Sequence, residues 1–230
     1  MKYIFLPAAL LLVAAGGRAQ TAAGGLLLSG SVGYINTKGE TTAPASAALN
    51  QTTQNQRFNF SPRVGYFLSD KLTVGLLLDL SRTKLQEPDF YPSGQPVTRV
   101  TNDHLTQVGP FVRYYYAVSD KAAFYGQLAG GYAKLKEEVS YEAGGANQTT
   151  YEPKGGFADL MPGFVFFPTS KLGLELTLGS LSYNYLVGTL ANANAPGINP
   201  ELKVSSWEAR FGLTQLMLGA SFYLGGSGSK

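Results

Sequence analysis

Apolar side chains in this chain recur at every second position rather than every third and fourth, the spacing of a β-strand with one oily face. The clearest stretch is Arg57 to Tyr66: Phe58, Phe60, Pro62, Val64 and Tyr66 share one face, and Arg57, Asn59, Ser61, Arg63 and Gly65 the other. The next run repeats it, with Leu72, Val74, Leu76, Leu78 and Leu80 against Thr73, Gly75, Leu77, Asp79 and Ser81. Applied along the chain, this template predicts eight strands: Leu26 to Thr37, Asn55 to Leu68, Leu72 to Lys84, Asn102 to Val118, Ala122 to Glu138, Lys154 to Phe167, Leu172 to Tyr185 and Lys203 to Leu224. Each is long enough for a tilted membrane strand of roughly 9 to 11 residues.

A unit seen three times places the turns: Pro62 to Lys71 (PRVGYFLSDK), Pro110 to Lys121 (PFVRYYYAVSDK) and Pro162 to Lys171 (PGFVFFPTSK). Its Pro and Lys are nine, eleven and nine positions apart, so the longer copy keeps the facing of a period of two. The connections at Ser69 to Lys71, Ser119 to Lys121 and Pro168 to Lys171 are short. Those at Lys38 to Gln54, Leu85 to Thr101, Val139 to Pro153 and Leu186 to Leu202 are long. An even-stranded meander with this alternation gathers its short turns and both termini at one end, the plan of a transmembrane β-barrel with periplasmic turns. The expected fold is therefore all-β, an eight-stranded antiparallel up-and-down transmembrane β-barrel. Lipid cannot satisfy open sheet edges, so the sheet should close. At this size side chains fill the interior, which argues against a wide aqueous pore.

Two runs change face midway. In the seventh, Leu172, Leu174, Leu176 and Leu178 give way to Leu181, Tyr183 and Tyr185; in the eighth, Trp207, Ala209, Phe211 and Leu213 give way to Leu216, Leu218, Ala220, Phe222 and Leu224. One extra residue reverses a period of two, so bulges are expected near Gly179 and Thr214. The fifth run, with Gly126, Gly130 and Gly131, only weakly favours Phe124, Leu128 and Tyr132 outward. Thr41 to Ala48, Pro88 to Pro96, Gly144 to Gln148 and Ala191 to Pro200 have loop composition. The sequons Asn50-Gln51-Thr52 and Asn147-Gln148-Thr149 are read as plain solvated loop.

Composition narrows the chemistry. With 230 residues the chain suits one domain; without Cys it has no disulfide or thiolate site, and with a single His no multi-His metal centre. No cofactor is implied. A net charge of +3 and the absence of a basic run give no case for nucleic acid. Residues 1–19 read as a cleaved signal peptide: Lys2, then an uncharged run from Tyr3 to Ala15, then Gly17-Arg18-Ala19 before Gln20. That run is too short for a membrane helix of roughly 20 residues. The barrel would occupy 20–224 and a flexible tail 225–230.

Turning the Pro-bearing face to lipid sends Arg57, Arg63, Asp79, Arg113, Asp159, Glu175, Glu208 and Arg210 into the lumen. Buried charge must pair, so these four bases and four acids are expected to form a network that plugs the interior. Tyr66, Tyr114, Tyr116, Phe124, Phe166 and Phe222, beside the short turns, are expected to form the periplasmic aromatic girdle. A soluble lipocalin-like barrel is the architectural alternative; it would turn the apolar face inward.

The leader ending in Ala-Gln, the three Lys-closed turns and the closing run Leu216-Met217-Leu218-Gly219-Ala220-Ser221-Phe222-Tyr223-Leu224 resemble small bacterial outer-membrane β-barrels. The resemblance is to the porin-like barrel domain similar to the membrane portion of outer-membrane protein A, in its Bacteroidetes-type versions. It spans Thr21 to Leu224 and is specific for architecture, not for activity. It implies residence in the outer membrane, with outer-membrane lipid and the barrel-assembly machinery as partners, and a monomer is expected. Gly219, Phe222 and Leu224 match the family's closing-strand assembly signal, with Leu where a terminal Phe is usual.

Three functions fit. The first is a noncatalytic barrel with a side-chain-plugged lumen, serving envelope integrity or loop-mediated surface interaction. The second is a narrow passive pore for small hydrophilic solutes. The remote third is a lipid-modifying barrel enzyme: deacylases of that kind use a His that deprotonates a Ser, and here His104 lies beside Asp103 with Thr106 two positions on. The Ser is missing, and the reading adopted is a nonenzyme.

Overall fold

The alternation of apolar and polar residues becomes a closed antiparallel meander in a computed structural model that describes residues 21–41, 51–90, 96–142, 149–189, 200–212 and 217–225. Eleven strand segments are present: β1 (Leu26–Thr41), β2 (Gln51–Ser69), β3 (Leu72–Phe90), β4 (Pro96–Ser119), β5 (Ala122–Tyr141), β6 (Thr149–Tyr151), β7 (Lys154–Phe166), β8 (Leu172–Thr177), β9 (Gly179–Thr189), β10 (Glu201–Phe211) and β11 (Met217–Leu224). They form eight staves, because β6 continues into β7, β8 into β9, and β10 into β11. Each stave pairs with the next in the sequence, and β11 returns to β1 through Leu26↔Leu224 to Ser31↔Gly219.

The oily face looks outward. Leu26, Leu28, Val64, Leu76, Leu128, Leu160, Leu174 and Phe222 are exposed, whereas their neighbours Leu27, Leu77, Arg113, Gln127, Asp159, Glu175 and Tyr223 are buried. This is the membrane arrangement, and it removes the lipocalin-like alternative. The fifth run takes the facing that its glycines left weak, with Phe124, Leu128 and Tyr132 exposed.

The repeated turns share a local reason. The backbone N–H of Lys71 donates to the Ser69 hydroxyl (3.4 Å), that of Lys121 to Ser119 (3.3 Å) and that of Lys171 to Thr169 (3.3 Å). A hydroxyl two residues before the Lys closes each turn on its own backbone. The repeated prolines also leave a mark. The β2–β3 ladder skips from Phe60↔Leu80 to Arg63↔Leu77 around Pro62, and the β4–β5 ladder from Val108↔Tyr132 to Phe111↔Ala129 around Pro110. Proline has no N–H to give there.

The seventh stave reverses its facing at the expected place. Glu175 is buried on β8 and Ser182 on β9, and between them Gly179 takes φ +138°, a conformation that favours glycine. The eighth stave also reverses: Trp207 and Phe211 point outward on β10, and Leu218 and Phe222 on β11. Gly212 (φ +142°) begins the change, while Thr214 lies outside the described residues. Closure is less complete than the sequence suggests. Among the described residues β10 pairs only with β9, and β1 above Ser31 pairs only with β2.

The hairpins are longer than periodicity indicates. Thr41 ends β1, Pro88 to Phe90 lie in β3, and Pro96 opens β4, all in stretches expected to be loop. Beyond the membrane both faces meet water, so a polar ribbon keeps its backbone ladder without an alternating pattern. Gln51 to Gln54, Val139 to Tyr141, Thr149 to Tyr151, Leu186 to Thr189 and Glu201 to Leu202, also expected in connections, are strand; 42–50, 91–95, 143–148 and 190–199, the signal peptide and residues 226–230 of the expected tail lie outside the described residues.

Candidate functional site

Each short turn carries an aromatic pair of which one ring faces lipid and the other the lumen. Tyr66, Tyr114, Tyr116, Phe124 and Phe222 are exposed and Phe166 is half-buried on the outer face, where the girdle was expected. The inward partners Phe67, Tyr115, Phe167 and Tyr223 are buried. Their backbone N–H groups donate to the carbonyls of Gly25, Lys71, Lys121 and Lys171 respectively, at 2.8 to 2.9 Å. The turns thus hold the inward rings at one level. Ring centroids are 5.7 Å apart for Phe67 and Tyr115, 5.9 Å for Phe67 and Tyr223, and 5.3 Å for Phe167 and Tyr223, within the range of favourable aromatic pairs.

On this aromatic floor sits the most buried charge. Arg113, 1% exposed, donates from Nη1 to Glu175 Oε1 (2.7 Å) and to Tyr115 Oη (3.2 Å), and from Nε to Gln127 Oε1 (2.9 Å). Its guanidinium lies 4.3 Å from the centroid of the Tyr125 ring, a cation–π contact. Tyr125 has room because its cross-strand partner is Gly163, whose missing side chain the ring occupies. Ser221 donates to Tyr223 Oη (3.2 Å), extending the polar chain to the closing stave.

Above the floor opens a cavity of about 620 Å³. Its polar lining includes Arg57, Arg63, Asp79, Asp159, Glu208 and Arg210. Arg63 approaches Asp79 at 3.6 Å, Arg57 donates to Thr83 (3.3 Å), and Gln107 donates to Asn184 (3.0 Å). Glu208 and Arg210, two apart on β10, pair with each other at 3.3 Å and stay largely exposed. The lining also includes Val32, Tyr34 and Leu218, beside the stretch where β1 and β10 do not pair.

All eight charges expected in the lumen face it, but they do not make one network. Arg113 and Glu175 belong to the floor; the other six line the cavity as separate pairs and single groups. At the turn end the buried aromatics stand beside the Arg113–Glu175 pair, and rings fill volume at far lower desolvation cost than ions. Periodicity missed them because adjacent aromatics such as Tyr114, Tyr115 and Tyr116 erase the contrast between faces. The doublets beside every turn were the available signal.

Gly219, Phe222 and Leu224 lie in β11, opposite Ser31, Leu28 and Leu26 of β1. His104 points outward between Arg82 and Lys136, its cross-strand neighbours, whereas Asp103 lines the cavity. The two sit on opposite faces of β4, so Asp103 does not orient His104. Among the described residues no group of three His, Cys, Asp or Glu side chains could hold a metal ion.

No protein of curated function matches the sequence. Solved structures similar to this chain include the outer membrane protein OprG from Pseudomonas aeruginosa, 12% identical with a TM-score of 0.47, covering 91% of this chain and 98% of that one. Another is Ail, the attachment invasion locus protein of Yersinia pestis, in complex with the heparin analogue sucrose octasulfate: 15% identical, TM-score 0.37, covering 88% and 99%. A third is the N-terminal β-barrel domain of Pseudomonas aeruginosa OprF, 12% identical, TM-score 0.33, covering 88% and 99%. The family model described as "Outer membrane protein beta-barrel domain" matches residues 5–214. With a lipid-facing apolar wall around a closed meander, the chain belongs to the outer membrane protein β-barrel family and resides in the outer membrane.

Proposed function

We propose that this barrel is noncatalytic, closed to flow between the cell exterior and the periplasm, and serves envelope integrity or surface interaction through its wall and projecting hairpins. The observation that carries the reading is the floor: Arg113 paired to Glu175 above the rings of Phe67, Tyr115, Phe167 and Tyr223. A buried ion pair held by further hydrogen bonds is costly to open, because each partner left alone would be an unpaired charge. The opposite facing of His104 and Asp103 supports a role without acyl-transfer chemistry. The protein acts as a monomer in this reading.

The cavity of about 620 Å³ favours a second reading, a narrow pore whose outer mouth it would be. Proteoliposome swelling in pentose solution separates the two. Vesicles containing the refolded barrel are expected to swell no faster than empty ones; swelling in proportion to protein content would establish the pore.

A further inference from the structure

The cross-strand register of β3, β4, β5 and β7 assembles basic residues on the outward face that their separate sequences do not reveal. Leu78, Val108 and Tyr132 form the last wholly uncharged rung on this side. The next rung toward the long hairpins is Leu80, Thr106, Lys134 and Lys154, and the one above it Arg82, His104 and Lys136. Lys84 stands above Arg82 on β3. Five formal cations and the only His of the chain thus occupy neighbouring rungs at the upper edge of the lipid-facing wall.

Two acids share the region. Glu152 binds Lys134 at 2.8 Å and Glu138 binds Lys136 at 2.6 Å. Lys134 holds the Glu152 carboxyl below the usual carboxylate range. Arg82 and Lys84 are exposed and have no ion-pair partner among the described residues. Lys134 stands directly opposite Lys154, and Glu152 is the carboxylate that offsets this like-charge juxtaposition, which leaves Arg82, Lys84 and Lys154 as the cations without an ion-pair partner among the described residues. Below the cluster Val108, Leu128 and Leu160 present an apolar wall.

We propose that this cluster is a binding site for the phosphate groups of phosphorylated lipids in the outer leaflet. Its chemistry is matched twice: cations sit at headgroup height, where basic clusters attract anionic lipid, and apolar side chains lie beneath them for acyl chains. The long-hairpin end is the external end of such barrels, which places the site in the outer leaflet. No other sector of the described wall brings bases onto adjacent rungs: at the same level of β1, Lys38 pairs with Glu40, and on β10 Lys203 lies near Glu201.

The test titrates the full-length refolded barrel in detergent with bis-phosphorylated lipid A, dephosphorylated lipid A or inorganic phosphate, read by native mass spectrometry. Saturable retention of the bis-phosphorylated lipid is expected, with an affinity lowered about tenfold by combining Arg82→Glu with Lys136→Glu. Lys38→Glu, elsewhere on the wall, should leave it unchanged. Equal retention of both lipids, or an unchanged affinity in the reversed variant, would overturn the proposal. Inorganic phosphate binding as tightly as the lipid would overturn the lipid assignment. Should the reversal prevent folding, Arg82→Gln with Lys154→Gln decides: a weaker affinity supports the site and an unchanged one removes it.

Discussion

Arg113 on β4 and Glu175 on β8 meet at 2.7 Å inside the barrel, although 62 residues separate them in the chain. The contact ties two staves across the lumen and depends on both partners being present. Arg113→Ala leaves Glu175 buried and alone, and is expected to cost about 3 to 5 kcal/mol in urea unfolding. The double replacement Arg113→Met with Glu175→Leu removes both charges and should recover most of that loss. A double variant as unstable as the single one would show that the pair itself, and not the stranded charge, supplies the stability.

The facing of β3 predicts opposite sensitivities at adjacent positions. Leu76 is 58% exposed on the lipid side and Leu77 is 2% exposed in the lumen. Leu76→Arg is expected to cost about 2 to 4 kcal/mol near the bilayer midplane. Leu77→Ala is expected to cost about 2 to 5 kcal/mol through the cavity it leaves. Neutral behaviour of Leu76→Arg in lipid vesicles would mean that this face does not meet hydrocarbon.

Closure rests on β11 meeting β1. Ser29 and Ser221 are directly opposite and both buried. Their Cα separation in an antiparallel pair, about 4.5 to 5.5 Å, lies within the span of a disulfide. The variant with Ser29→Cys and Ser221→Cys should therefore cross-link on oxidation in the folded, heat-modifiable form. Persistently free thiols in that form would place β11 elsewhere.

The turn hydroxyls make a smaller claim. Ser119→Ala removes the acceptor for the Lys121 N–H at an exposed turn and should cost no more than about 1 kcal/mol. A larger loss, measured by urea unfolding, would show that Ser119 also supports the floor through Phe167, whose N–H donates to the Lys121 carbonyl.

Much of this architecture was legible in the chain because a lipid-facing wall imposes a period of two. That period placed Arg113 inward between Val112 and Tyr114, and the reversal within the seventh run located the change of face at Gly179. It failed where its contrast vanishes. Phe67, Tyr115, Phe167 and Tyr223 lie beside outward aromatics, so the floor is hidden in doublets. The polar ends of β3 and β4 carry no alternation, since water bathes both faces, and so read as loop. The basic rungs depend on which residue stands opposite which: nothing in β4 alone sets His104 between Arg82 and Lys136.

Single-channel recording on the refolded protein in planar bilayers bears most directly on the closed floor. The wild type should give no steady openings. Phe67→Ala combined with Tyr223→Ala, which removes two of the four inward rings, should give them. Steady wild-type openings of the same size in that variant would contradict a lumen sealed at its periplasmic end.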